Sequence, residues 1–177
     1  MLPILALSAQ LLVAAPSDTP PPAPPLPARP RVQAVEVSEW YNRRLTIHRW
    51  LSYTSYPLFA FQYAAGRQIW SKGQQAPEWA LDGHRFGAAA LAGVFTINTI
   101  TGVWNLVESR DVEDGRGRRY FHAASMLIAD AGFTWAGAVL SEQAERSTEK
   151  RKLHRTVALT SIGISVTSAT LMWFLNR

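Results

Sequence analysis

Between short clusters of charge, the sequence carries four long stretches almost free of charged residues, at about residues 47–65, 84–107, 120–140 and 154–175. The hydrocarbon core of a bilayer is about 30 Å thick and a helix rises about 1.5 Å per residue, so about 20 apolar residues cross it. Each stretch has that length. A chain built this way is predicted to be all-α, because a helix satisfies every backbone polar group within its own segment. Short connections make neighbours antiparallel, which gives an integral membrane, up-down-up-down four-helix bundle. Trp50, Trp70, Trp104 and Trp173 lie near segment ends, where aromatic side chains favour the membrane–water boundary. Pro57 falls inside the first stretch and predicts a kink. Gly83 with Gly87, and Ala89 with Gly93, put small residues at four-residue spacing, which lets helices approach closely.

The remainder of the chain fits this frame. Of its 177 residues only 18% are charged, against about 25% in an average soluble domain. The net charge of +5 does not point to nucleic acid. Its basic residues alternate with acidic ones, as between Glu108 and Arg119, and anionic lipid headgroups account for the excess. There is no cysteine, which excludes disulfides, iron–sulfur clusters, thiolate zinc sites and thioether-linked haem. Residues 1–15 are apolar but too short to span, and read as a signal peptide or a short anchor. Residues 16–38, with eight prolines between Pro16 and Pro30, read as a disordered linker. Residues 39–177 form the four-helix transmembrane domain. A cleaved signal sets the N-terminal arm outside the cytoplasm, in a bacterial inner membrane on this reading.

The chain has four histidines, His48, His84, His122 and His154, one near the start of each apolar stretch. Antiparallel packing sorts them: His48 and His122 share one side of the membrane, His84 and His154 the other. In a square bundle each pair sits on diagonal helices, with axes roughly 13 Å apart. Two imidazoles reaching inward across that gap fit the two faces of one haem iron. Arg49, Arg85 and Arg155 each follow a histidine, and Arg118 and Arg119 precede His122. Arg49, Arg85, Arg119 and Arg155 are the candidate partners for haem propionates, since guanidinium binds carboxylate bidentately. Gly87, Ala123, Ala124, Ser125 and Gly163 leave room for a flat macrocycle. Zinc suits the pattern less, because two ligands per side are half its usual number. The alternative is that the histidines are interfacial polar residues of a haem-free membrane scaffold or accessory subunit.

The stretches IHRWLSY, DGHRFGAAALAG, RYFHAASMLIADAG and KLHRTVALTSIG, with histidines 36, 38 and 32 residues apart, resemble the cytochrome b561 family of transmembrane two-haem electron carriers. The resemblance covers roughly residues 40–177 and rests on arrangement more than on residue identity. It implies His48, His84, His122 and His154 as iron ligands, two non-covalent b-type haems, and electron transfer across the membrane. The implied activity is that of a haem-dependent oxidoreductase, with a quinol, an ascorbate-like reductant or ferric iron among its donors and acceptors. Family members commonly carry helices beyond the core; here the core is joined by a proline-rich arm and a signal or short anchor, and no ascorbate-binding motif is matched.

Other polar residues lie within the apolar stretches. Asp130 is a candidate proton relay or quinol ligand, but reads first as a structural hydrogen-bond partner of Asn98, Thr99 or another polar side chain. Asn98, Thr101 and Asn105 read as interhelical glue. Trp104 and Trp135 lie near an electron path or simply pack. No nucleophile–base pair, phosphate-binding loop or hydrolytic carboxylate pair is present. Lipid is the expected partner, and a homodimer is compatible with the pattern.

Overall fold

The computed structural model describes residues 37–175, which belong to the compact unit Ala34–Arg177. The readings of residues 1–15 and of the linker up to residue 36 lie outside the described residues. Within them the order is α1 (Glu39–Lys72), a 3-10 turn (Gly73–Gln75), α2 (Glu78–Glu108), α3 (Arg116–Thr134), a π-helical turn (Trp135–Leu140), α4 (Ser141–Arg146) and α5 (Thr148–Leu175). No strand occurs among the described residues. From Arg116 to Arg146 the chain is one rod of 31 residues, so the architecture is four long helical rods.

Each rod begins before its apolar stretch does. Ser38 caps α1, its hydroxyl accepting the Tyr41 N–H at 3.2 Å. Glu39, Glu78 and Glu149 lie in the first turns of α1, α2 and α5, where carboxylates favour the positive end of the helix dipole. Gly115, at φ 66°, turns the chain into α3. The histidines therefore do not open the helices. His84, His122 and His154 each stand six residues past the first residue of their helix, and His48 nine. α1 runs unbroken through Pro57.

α2, the Arg116–Arg146 rod and α5 are long and apolar enough to cross a membrane. α1 is not among these three. Ser52, Tyr53, Thr54, Ser55, Tyr56, Gln62 and Tyr63 dilute its apolar stretch with hydroxyls and an amide. Large apolar side chains cover the outside of the bundle; Phe86 is 76% exposed, Ile128 62% and Phe121 61%. Such a surface suits lipid and not water.

The tight contacts are α1 with α2 and α3 with α5; α2 against α3 is a narrower seam and α1 against α5 the narrowest. Two antiparallel hairpins thus lie side by side, with α1–α3 and α2–α5 as diagonals. Within the first hairpin Gly83 and Gly87 face Phe61 and Gln62 of α1, and a Cβ at Gly83 would sit 2.6 Å from the Phe61 ring. The other small pair is different: Ala89 and Gly93 are exposed and Gly93 faces open space, so that spacing serves no contact within the chain.

Aligning the rods on their histidines reveals one inward line repeated four times, at positions 7, 11 and 14 beyond the histidine. It reads Ser55, Phe59, Gln62 in α1, Leu91, Phe95, Asn98 in α2, Ala129, Phe133, Ala136 in the third rod and Ser161, Ser165, Ser168 in α5. All are buried except half-buried Phe133. Three of the four residues at position 11 are phenylalanine, and they meet. Ring centroids of Phe59 and Phe95 are 5.9 Å apart, Phe59 and Phe133 5.7 Å, and Phe95 and Phe133 4.9 Å. Position 11 lies roughly 16 Å along the rod from the histidine, so antiparallel rods bring these rings together midway between the two ends. The aromatic cluster is the apolar core, and the histidines stand on either side of it.

Candidate functional site: two histidine pairs

The structure brings the histidines together as two pairs on the two diagonals. His48 of α1 and His122 of α3 have ring centroids 6.2 Å apart, with planes at 78°. His84 of α2 and His154 of α5 are also 6.2 Å apart, with planes at 64°. Two pairs from four different helices, at one separation, are the main geometric fact of this molecule.

Three of the four rings are oriented by hydrogen bonds at Nδ1. His48 Nδ1 lies 3.1 Å from the Asn98 carbonyl oxygen and 3.2 Å from Thr101 Oγ1. His122 Nδ1 lies 2.9 Å from Ser168 Oγ. His154 Nδ1 lies 3.0 Å from the Ala136 carbonyl oxygen, which belongs to the π-helical turn. His84 Nδ1 is buried and faces the backbone of Gln62 without a well-formed hydrogen bond. Gln62 in turn donates its side-chain amide to the His84 carbonyl oxygen at 3.0 Å.

These partners follow one rule. Asn98, Gln62, Ser168 and Ala136 are each 14 residues beyond the histidine of their own helix, and each meets the histidine of the other helix in its hairpin. With Nδ1 engaged in these contacts, Nε2 is the ring nitrogen left for a metal.

Small residues flank the rings. A Cβ at Gly102 would lie 3.1 Å from His48 Cε1, and one at Gly66 would lie 3.5 Å from His84 Cε1. Gly66 and Gly102 are each 18 residues beyond the histidine of their helix, so the two sites mirror each other across the first hairpin. Ser165 and Ser168 bring short side chains from α5 into the interior. Among the described residues no cluster of three or more His, Asp or Glu side chains could hold a metal ion by itself. Two imidazoles suffice only for a metal that brings its other ligands with it.

The candidate arginines fall differently. Arg49, Arg85 and Arg155 are exposed on outer faces. Arg85 pairs with Glu145 at 3.5 Å, and Arg155 lies 4.7 Å over the Trp70 ring. Arg119 spends its guanidinium on the carbonyl oxygens of Ser109, Val112 and Asp114, clasping the turn between α2 and α3. A residue next to a histidine on a helix is rotated by about 100° from it, whereas residues four apart share a face. The basic residues on the histidine faces are therefore Arg44, Arg118 and Lys150, four positions before His48, His122 and His154, and Arg119 and Arg151, three positions before His122 and His154. All five are half-buried. Arg44 pairs with Glu108, bonds Asn105 Oδ1 at 2.8 Å and lies 4.9 Å over the Trp104 ring. Arg118 donates to the Leu175 carbonyl oxygen. Sequence spacing carried this signal, in the three- and four-residue intervals rather than in adjacency.

Asp130 accepts a hydrogen bond from Thr99 Oγ1, which ties α3 to α2, and its Oδ1 is buried without a partner. Asn98 donates to Ser52 Oγ at 3.2 Å and Asn105 to the Tyr41 carbonyl oxygen at 3.4 Å, so both join α2 to α1. Trp104 and Trp135 are exposed. No known family model, curated protein or solved structure matches the chain.

Proposed function

We propose that this chain is a membrane-spanning electron carrier in which His48 with His122, and His84 with His154, each hold the iron of one non-covalent b-type haem. The observation that carries this reading is the ring separation. An imidazole nitrogen binds a metal at about 2 Å and lies roughly 1 Å from its ring centre, so imidazoles on opposite faces of one iron stand about 6 Å apart. Both pairs have ring centroids 6.2 Å apart. The donor set agrees: an iron already held by a porphyrin would take two further ligands, and each pair would offer two imidazole nitrogens.

Bound haem would supply one-electron redox chemistry. The protein's residues supply the rest. The backbone carbonyls of Asn98 and Ala136 and the hydroxyl of Ser168 fix ring orientation through Nδ1. Gly66 and Gly102 keep side chains off the rings of His84 and His48. Arg118 and Lys150, a turn outward, are suited to meet carboxylates at the boundary. The Phe59, Phe95 and Phe133 cluster fills the middle and keeps water out between the two ends.

α1 is included among the spans on this reading. Its contacts with α2 include His48 at Gly102 and Gly66 at His84, about 27 Å apart along the helix, close to the roughly 30 Å of a hydrocarbon core. Its hydroxyls and Gln62 lie partly on the inward line, where they meet protein and not lipid. The fold is then a four-helix membrane bundle resembling the cytochrome b561 core, in a bacterial inner membrane, with the N-terminal arm and the His48–His122 pair outside the cytoplasm. Ferric iron, a quinol or an ascorbate-like reductant remain the classes of donor and acceptor.

The test is a reduced-minus-oxidised visible spectrum of the full-length protein extracted from membranes. A b-type spectrum is the expected result. A folded, colourless protein would instead support the haem-free scaffold.

A further inference from the structure

The geometry points to Ser168 as the residue that sets one haem apart from the other, by tuning the His122 ligand. This inference rests on the haem reading above and concerns how the two centres differ.

The four Nδ1 environments are built by the same rule, but they are not chemically equal. His48 faces the Asn98 carbonyl oxygen at 3.1 Å with the Thr101 hydroxyl beside it at 3.2 Å, His154 faces a main-chain carbonyl oxygen at 3.0 Å, and His84 faces the backbone of Gln62. His122 differs in facing a side-chain hydroxyl and no carbonyl, Ser168 Oγ at 2.9 Å. Ser168 is 2% exposed, so water does not compete for this hydrogen bond.

An acceptor on Nδ1–H pulls the proton away from the ring and makes the opposite nitrogen a stronger donor to a metal. A hydrogen bond to the far nitrogen of an iron-ligating imidazole is one of the levers by which a protein sets a haem potential. A hydroxyl differs from an amide carbonyl in one further respect. It can rotate, accepting from His122 in one orientation and donating its own proton elsewhere in another. The His48–His122 centre therefore has a ligand whose donor strength depends on a side chain, while the His84–His154 centre is governed by backbone. Ser168 is a positioning and tuning residue and does not itself touch the iron.

The experiment is a potentiometric titration of the haems in the purified full-length protein, comparing the unaltered chain with Ser168→Ala, Ser168→Thr and Ser161→Ala. Ser161 is buried on the same helix and meets Gly132, not a histidine. Ser168→Ala removes the acceptor, weakens the His122 donor and should shift one of two midpoint potentials upward while the other stays put. Ser168→Thr keeps the hydroxyl and should return that potential towards its original value, and Ser161→Ala should move neither. Two potentials that Ser168→Ala leaves in place, or that both move equally, would overturn the assignment to Ser168 while leaving two haems intact. A chain without haem would overturn the reading of the site itself.

Discussion

His48 and Gly102 touch across the first hairpin, and His84 and Gly66 touch in the mirrored position. A Cβ at Gly102 would sit 3.1 Å from His48 Cε1, whereas one at Gly66 would sit 3.5 Å from His84 Cε1. The first distance is tighter than ordinary van der Waals contact and the second is ordinary. The same substitution should then have different effects at the two ends. Gly102→Ala should disturb the His48 ring and lower haem occupancy at that centre, while Gly66→Ala should leave both centres filled. Haem content per chain, measured on both variants, checks this; equal loss from both would show that these glycines do not shape the sites.

The second hairpin depends on close approach at Gly132. A Cβ there would overlap Ser161 Oγ, and overpacking a tight contact costs about 1–3 kcal/mol. Gly132→Ala should lower thermal stability in detergent by that order. Adding Ser161→Ala should restore most of it, because a Cβ at position 132 lies 3.4 Å from Ser161 Cβ. Failure of the double variant to recover would place the strain somewhere other than this contact.

Two ion pairs should differ in worth. Arg44 and Glu108 are 13% and 23% exposed in their side chains, and Arg44 also holds Asn105 and covers Trp104. Arg85 and Glu145 are 69% and 54% exposed, and exposed pairs contribute little. Thermal unfolding of Arg44→Gln should therefore begin well below that of the unaltered chain, and that of Arg85→Gln should be nearly unchanged. The reverse order would contradict the packing of α1 on α2.

How much of this was legible in the sequence depends on the element. Pairing of His48 with His122 and of His84 with His154 follows from helix parity alone, and the rings meet in those pairs. Helix starts were not legible, because hydropathy marks where lipid contact begins and not where backbone hydrogen bonding begins. Ser38 with Tyr41, and the glutamates of the first turns, extend the helices through polar residues. Arg49, Arg85 and Arg155 are adjacent to a histidine in sequence and therefore rotated from it on the helix, so Arg49 points away from the face that Arg44 shares with His48; Arg119, three residues before His122, shares its face and holds the turn between α2 and α3. The inward line at positions 7, 11 and 14 was present in the sequence as His84, Leu91, Phe95, Asn98 and its three counterparts. It becomes visible only when the segments are aligned on their histidines, since most side chains outside that line face a different environment. Nothing local marks the π-helical turn at Trp135–Leu140, whose Ala136 carbonyl meets His154 from the next rod.

If each histidine pair holds one haem, the number of haems per chain must follow the histidines. Haem per chain should be measured on the purified full-length protein and on His48→Ala, His122→Ala, His84→Ala and His154→Ala. The unaltered chain should carry about two haems and each single variant should lose one. Combining His48→Ala with His122→Ala should remove no more than either alone, whereas His48→Ala with His84→Ala should remove both. A folded chain that carries no haem, or one whose haem content none of these replacements alters, would contradict haem binding by these pairs.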